Sequence, residues 1–134
     1  MIFIIFLIII AAISNSTMDT LQFHYSTSIF KNFKSQKFFN PELSWKNKWH
    51  MDSKGNILGE KFLGSSTVFS FLTDAWHFFK FTMLTSLFLT IVFYTPIIKM
   101  DGAFLELAAN FILLRLIYGA VFEIIFSKIL KKKL

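Results

Sequence analysis

Three apolar blocks, residues 1–13, 68–98 and 103–126, constrain this chain of 134 residues more than any other feature. A helix rises 1.5 Å per residue, so about 20 apolar residues cross the roughly 30 Å hydrocarbon core of a bilayer. The lysines lie mostly between and after these blocks. The pattern therefore predicts an all-α membrane protein with three transmembrane helices and an aromatic, basic interfacial segment between the first and second.

The length allows a single membrane domain, residues 1–134. The expected parts are a first span at 1–18, a cytoplasmic interfacial loop at 19–66, a second span at 67–98, a third span at 103–127 and a basic tail at 128–134. A cleaved signal peptide ending near residue 14 is an alternative to the first span. Signal peptides normally begin with basic residues, and none precedes Lys31, so a retained span is preferred.

The second and third spans are predicted to form an antiparallel helical hairpin. The second would be capped at its start by Ser65, Ser66 or Thr67, and Asp101-Gly102 marks a tight connection to the third. The charged and aromatic side chains early in the second block belong at the headgroup level, where tryptophan rings and lysines are favoured. These residues are Asp74, Trp76, His77 and Lys80.

The lysine distribution predicts the orientation. Seven lysines lie in residues 15–66 and four in residues 128–134, whereas residues 99–102 contain one. The positive-inside rule then places the long loop and the C-terminus in the cytoplasm, in a multi-pass protein of a cell inner membrane. The chain has no cysteine, which excludes disulfides and thiolate metal sites.

Aromatic residues and lysines alternate through the loop before the second span. Asn40-Pro41 predicts a capped helix start, after which Trp45 and Trp49 would lie one turn apart on the same face, and residues 53–56 read as a turn. One interpretation is a surface that binds anionic lipid headgroups; the other is positive-inside topology with an aromatic belt. Nucleic acid is not expected as a partner. The headgroup-binding candidates are Lys31, Lys34, Lys37, Trp45 and Trp49.

Arg115 is the only arginine and lies within an apolar helix. A charged side chain at that depth needs an anion or water to be tolerated. Antiparallel spans bring several polar residues to the cytoplasmic side of the membrane, where their formal charges nearly cancel. The predicted polar cluster contains Asn15, Asp19, Asp74, His77, Lys80, Arg115 and Glu123.

Three interpretations of this cluster remain open: a structural ion network between helices, a catalytic or metal site, and an ion or proton pathway. The catalytic candidates are Asp19, Asp74 and His77. No cofactor is expected, although oxygen and imidazole donors would permit a divalent metal, and Asp74-x-x-His77 alone is a weak motif. The metal-ligand candidates are Asp19, His24, Asp74, His77 and Glu123.

Several strings give the chain a family resemblance over about residues 18–80. They are MDTLQFHYSTSIF, NPELSWKNKW, GEKFLGSST and FLTDAWHFFK. With them the chain resembles a group of uncharacterised small bacterial inner-membrane proteins. The resemblance implies a bacterial inner-membrane location and brings no assigned activity or site residues.

Two functional hypotheses follow. The first is a non-catalytic accessory or stabilising subunit of a membrane assembly, whose partners would be membrane lipids and other membrane subunits or further copies of the chain. The alternative is a small membrane-embedded enzyme acting on a lipid or isoprenoid phosphate, with or without a metal. Arg115 and Lys80 would then hold the phosphate. A concave opening beside His77 favours the second hypothesis, and a sealed three-helix core favours the first.

Overall fold

The computed structural model describes residues 2–130, which are mostly helical. Three of its helices are long and apolar enough to cross a membrane, as the sequence predicted. The last continues beyond Ile124 as a wider π-helical turn over Ile125–Leu130. The helices are α1 (Ile2–Phe23), the single turns α2 (Gln36–Phe39) and α3 (Pro41–Ser44), α4 (Ala75–Val92) and α5 (Ala103–Ile124).

The central helix is α1, because α4 and α5 both pack against it and make few contacts with each other. Phe3 meets Phe93 with ring centroids 5.6 Å apart, so α4 runs antiparallel to α1. His24 meets Phe126 at 5.3 Å, so α5 runs parallel to α1. The second and third predicted spans are thus antiparallel, as expected. The prediction that they pack directly against each other is wrong, because each packs against α1 instead.

Small side chains line the helix contacts. Ala11, Ala12 and Ser16 are buried in α1, and Ser86 and Thr90 in α4. Small residues let helix backbones approach closely in a membrane. The hydroxyl groups stay paired, since Ser16 donates to the carbonyl of Ile13 at 2.8 Å and Thr90 to that of Ser86 at 2.9 Å. Ser16 and Thr90 therefore need no partner from another helix.

Residues 2–14 are part of the bundle. Ile4, Leu7, Ile8, Ala11 and Ala12 are all buried. The helix α1 extends to Phe23 rather than ending near residue 18.

The second span is shorter than predicted. The helix begins at Ala75, not near Thr67, and ends at Val92, before Pro96. Residues 67–74 instead form turns and a short 3-10 helix at Ser70–Leu72. Asp74, rather than Ser65, Ser66 or Thr67, caps α4 by accepting a hydrogen bond from the backbone N–H of His77 at 2.9 Å. A carboxylate cap satisfies a helix N–H that would otherwise be unpaired.

Asn110 orders the connection between α4 and α5. Its side chain is almost fully buried, and its Oδ1 accepts from the backbone N–H groups of Ile97 and Ile98 at 2.7 and 3.0 Å. Its Nδ2 donates to the carbonyl of Ile98 at 2.7 Å. An amide is suited to this role because it pairs both donors and acceptors of an irregular backbone.

The interfacial segment departs from the all-α prediction. Asn40 caps α3 through the N–H of Glu42 at 2.9 Å, with Pro41 at the first helical position, as predicted. The helix ends after one turn, however. Trp49 then starts an antiparallel hairpin of β1 (Trp49–Met51) and β2 (Ile57–Glu60), so Trp45 and Trp49 do not share a helix face. The predicted turn at residues 53–56 connects the two strands.

A small hydrophobic core joins this segment to the ends of the long helices. Leu21, Phe30, Ala75 and Leu130 form its buried centre. Phe30 stacks on Phe39, with centroids 5.3 Å apart and planes nearly parallel. The segment is therefore a folded layer packed on the end of the bundle where α4 begins, and it supplies side chains to that end.

Candidate functional site: a cleft beside Asp74 and His77

Asp74 and His77 form a close pair at the start of α4. The Nδ1 atom of His77 lies 2.8 Å from both carboxylate oxygens of Asp74, while the same carboxylate caps the helix. Thr73 donates its hydroxyl to Asp74 at 3.2 Å. A carboxylate can only accept here, so the proton is assigned to Nδ1 of His77 and Nε2 is left as the acceptor.

Lys48 completes the site from the interfacial segment. Its Nζ lies 3.0 Å from Nε2 of His77 and 4.0 Å from a carboxylate oxygen of Asp74. The three side chains thus form a row of carboxylate, imidazole and ammonium. Asp74 is the most enclosed, with 6% of its side chain exposed, against 17% for Lys48 and 30% for His77. A ligand can therefore reach Lys48 and His77 more readily than Asp74.

Backbone contacts place Lys48 opposite α4. The side chain of the neighbouring Asn47 donates from Nδ2 to the carbonyls of Lys37 at 2.5 Å and Thr73 at 2.8 Å. Thr73 immediately precedes Asp74, so these hydrogen bonds hold the turn beside the start of α4. The carbonyl of Lys48 accepts from the Ser65 hydroxyl at 2.7 Å and from the Lys61 N–H at 2.9 Å. These contacts hold the backbone of Lys48 opposite α4, and its ammonium reaches His77 from there.

Glu60 holds the turn that presents Ser65. Its carboxylate accepts from the backbone N–H groups of Gly64 at 2.9 Å and Ser66 at 3.2 Å, and from the Ser66 hydroxyl. These hydrogen bonds, led by the Ser66 hydroxyl, lower the pKa of Glu60 below its usual value. Gly64 has a φ of +76°, which glycine adopts without the strain that a side chain would cause.

A cleft of about 340 Å³ opens beside this row of side chains. It is within the range of roughly 300–1,000 Å³ typical of small-molecule sites. Its walls are largely apolar and include two tryptophans. The cleft is lined by Leu21, Gln22, Phe39, Pro41, Ser44, Trp45, Lys48, Asp74, Trp76 and His77.

The predicted polar cluster is divided in the structure. Asp74 and His77 are together in the cleft, whereas Lys80 is exposed on the surface, 5.0 Å from the centre of the Trp76 ring. Arg115 lies near Tyr118, with its guanidinium carbon 5.7 Å from the ring centroid. Asn15 and Asp19 also face Tyr118. Glu123 accepts a hydrogen bond from Ser127.

The metal-ligand candidates do not converge. No group of three or more His, Asp or Glu side chains within residues 2–130 could hold a metal ion. Asp74 and His77 meet each other, but His24 packs its ring against Phe126 and Glu123 bonds Ser127. The charged side chains beside His77 are the carboxylate of Asp74 and the ammonium of Lys48.

The headgroup-binding candidates occupy different environments. Lys31, Lys34 and Lys37 are exposed, which suits contact with a charged surface. Trp45 lines the cleft with 44% of its surface exposed. Trp49 is half-buried in β1 and is not among the residues that line the cleft.

Sequence reasoning missed Lys48. It counted this lysine only as one of the positive charges of the loop, because nothing in its spacing points to His77, 29 residues later. The amide of the preceding Asn47 carries the contact to Thr73. The contact depends on the fold of the whole segment, so no local pattern could have shown it.

No family model matches the chain, and neither the curated proteins nor the solved structures contain a significant match.

Proposed function

We propose that this chain is a multi-pass membrane protein that binds the phosphate group of an amphiphile, such as a phospholipid or an isoprenoid phosphate, in the cleft beside Lys48 and His77. The observation that carries the proposal is the charged row at the mouth of an apolar cleft. An ammonium group suits phosphate, and the apolar walls suit the chain attached to it. Because α4 is a candidate membrane span, the cleft beside its first residues would lie at the headgroup level.

The location is part of the same proposal. The lysine-rich loop and tail would face the cytoplasm of a bacterial inner membrane, where anionic lipids attract basic segments at about 1 kcal/mol per lysine or arginine near the surface. The exposed Lys31, Lys34 and Lys37 would bring anionic amphiphiles to this face. Lys48 would then contact the phosphate directly.

The test is retention of lipid by the purified protein in detergent, measured by native mass spectrometry. The probes are phosphatidic acid and a polyprenyl phosphate, with phosphatidylcholine as the reference, and they distinguish the two sources of phosphate. Lys48→Gln removes a charge-assisted hydrogen bond, worth about 1.5–3 kcal/mol, so affinity should fall about tenfold or more. The matched control is Lys54→Gln, because Lys54 is an exposed lysine of the hairpin turn. Equal retention by both variants would refute the proposal.

A second candidate function is hydrolysis of that phosphate ester. It is favoured by the contact between Asp74 and Nδ1 of His77, which orients the imidazole as in enzymes that use histidine for acid–base catalysis. If Lys48 moved to the phosphate, Nε2 could take a proton from water as the water oxygen bonds phosphorus. The proton would then pass to the alcohol oxygen as its bond to phosphorus breaks.

His77→Gln separates binding from turnover. An amide can still accept the Lys48 hydrogen bond but cannot carry a proton near neutral pH. With phosphatidic acid, hydrolysis predicts release of inorganic phosphate by the natural chain and none by the variant, while lipid retention persists. A natural chain that retains phosphatidic acid without releasing phosphate would leave binding as its function.

A further inference from the structure

The outward face of α5 is the least covered part of the bundle. Phe104, Phe111 and Leu116 are 80%, 68% and 65% exposed, and Asn110 is the only residue of this helix that is buried. Arg115 lies among these side chains and is also exposed. The face is therefore apolar, as membrane lipid would require, except for one permanent positive charge near its centre.

The position of Arg115 makes this charge costly. It follows the start of α5 by twelve residues, or roughly 18 Å along the helix axis, which places its backbone well inside the hydrocarbon region. Both ion pairs within residues 2–130 belong to Asp74, so none of the described carboxylates pairs with Arg115. Tyr118 offers the weaker attraction of its ring, and Asp19 of α1, which also faces Tyr118, forms no ion pair with Arg115. Charged groups inside membranes normally pair with one another or face water.

We infer that this face of α5 binds a transmembrane helix of a different protein, and that this helix carries an Asp or Glu at the depth of Arg115. A carboxylate there would pair with the guanidinium by two parallel hydrogen bonds, which lysine cannot reproduce. This accounts for arginine at one position in a chain whose other basic residues are all lysine.

Charge argues against a second copy of this chain as the occupant. A two-fold axis along the membrane normal would put Arg115 beside Arg115, and like charges repel. The other acidic residue exposed on α5 is Glu123, eight residues away or roughly 12 Å along the axis, and it bonds Ser127. A different chain can carry its carboxylate at the required level.

The inference goes beyond phosphate binding, since it makes the protein a subunit of an assembly. It also leaves the cleft unchanged: the cleft lies beside the start of α4, which makes few contacts with α5. The two proposals can therefore fail separately. Lys48→Gln should leave the assembly intact, and substitutions at Arg115 should leave phosphatidic acid retention intact.

The test is site-specific photocrosslinking in the cells that produce the protein. A photoreactive amino acid replaces Ile112 or Leu116, which flank Arg115 on the exposed face, and Phe88 on α4 provides a lipid-exposed control. We expect the α5 probes, but not the control, to crosslink one membrane protein whose spanning helix contains an acidic residue. Arg115→Leu should lower the yield at least about tenfold, as loss of a buried interfacial charge pair does. Arg115→Lys should lower it less.

A charge exchange makes the test specific. Arg115→Glu should abolish the crosslink, and changing the partner's acidic residue to arginine should restore it. Crosslinks to lipid alone, to a second copy of this chain, or with equal yield in the Arg115→Leu variant would overturn the inference. Thermal unfolding of the purified variants checks that they fold, which is expected because Arg115 is exposed.

Discussion

The carboxylate of Asp74 both caps α4 and hydrogen-bonds the imidazole of His77, one turn into the same helix. Loss of the Asp74 side chain therefore affects both the stability of α4 and the orientation of the imidazole. This double role connects the start of a candidate membrane span to the side chains of the cleft.

The first prediction separates these two roles. Asparagine is as good a helix cap as aspartate, whereas alanine loses the cap and costs about 0.5–2 kcal/mol. Asp74→Ala should therefore lower the free energy of unfolding by about that amount relative to Asp74→Asn, measured by circular dichroism during denaturation in detergent. Asp74→Asn should not weaken phosphatidic acid retention, because it removes a negative charge that competes with phosphate for Lys48. Equal stability of the two variants would show that the cap is not needed.

The second prediction concerns the pH dependence of the turn after β2. Because the pKa of Glu60 is lower in the folded chain than in the unfolded one, its contribution is present above the unfolded pKa and is lost as pH falls through the folded pKa. Hydrogen exchange at the amides of Gly64 and Ser66 should lose protection in that acidic range. Glutamine does not ionise, so in Glu60→Gln the protection of these two amides should not change over that pH range.

Asp52 provides the matched control for this measurement. Its carboxylate accepts from the backbone of Lys54 and Asn56, both at 2.8 Å, and its pKa is also lowered, mainly by the side chain of Asn56. Asp52→Asn should alter exchange in the hairpin turn and leave Gly64 and Ser66 unchanged. A change at Gly64 in that variant would mean that the two turns are coupled.

The third prediction concerns Asn110. Asn110→Leu leaves the N–H groups of Ile97 and Ile98 without their acceptor. An unsatisfied buried group costs about 1–3 kcal/mol, so the variant should unfold at a clearly lower denaturant concentration. Phe111→Leu is the control, since that side chain is largely exposed and should change stability little. Similar stability of the two variants would show that water replaces the amide.

The fourth prediction concerns topology. The chain has no cysteine, so single cysteines can be labelled without background. Lys54 and Lys99 are both exposed, in the hairpin turn and in the connection between α4 and α5. An impermeant maleimide added to intact cells should label Lys99→Cys and leave Lys54→Cys unlabelled until the cells are opened. The reverse pattern would invert the proposed orientation.

The sequence by itself determined the three long apolar helices, because burial of backbone and side chains in hydrocarbon depends on runs of about 20 apolar residues. Local chemistry also predicted the Asn40-Pro41 helix start and the turn at residues 53–56, since each depends on neighbouring residues alone.

Only the tertiary structure decided which polar groups meet. The expected cluster assumed that α4 and α5 pack against each other, but both pack against α1, which leaves Arg115 on the outer face of α5. Which helices pack together in a membrane depends on how the side chains of two facing helix surfaces fit, and the hydropathy of a sequence does not describe that fit. Lys48 reaches His77 for the same reason: hydrogen bonds made by Asn47, Lys61 and Ser65 position its backbone, and two of these three residues are far from it in sequence.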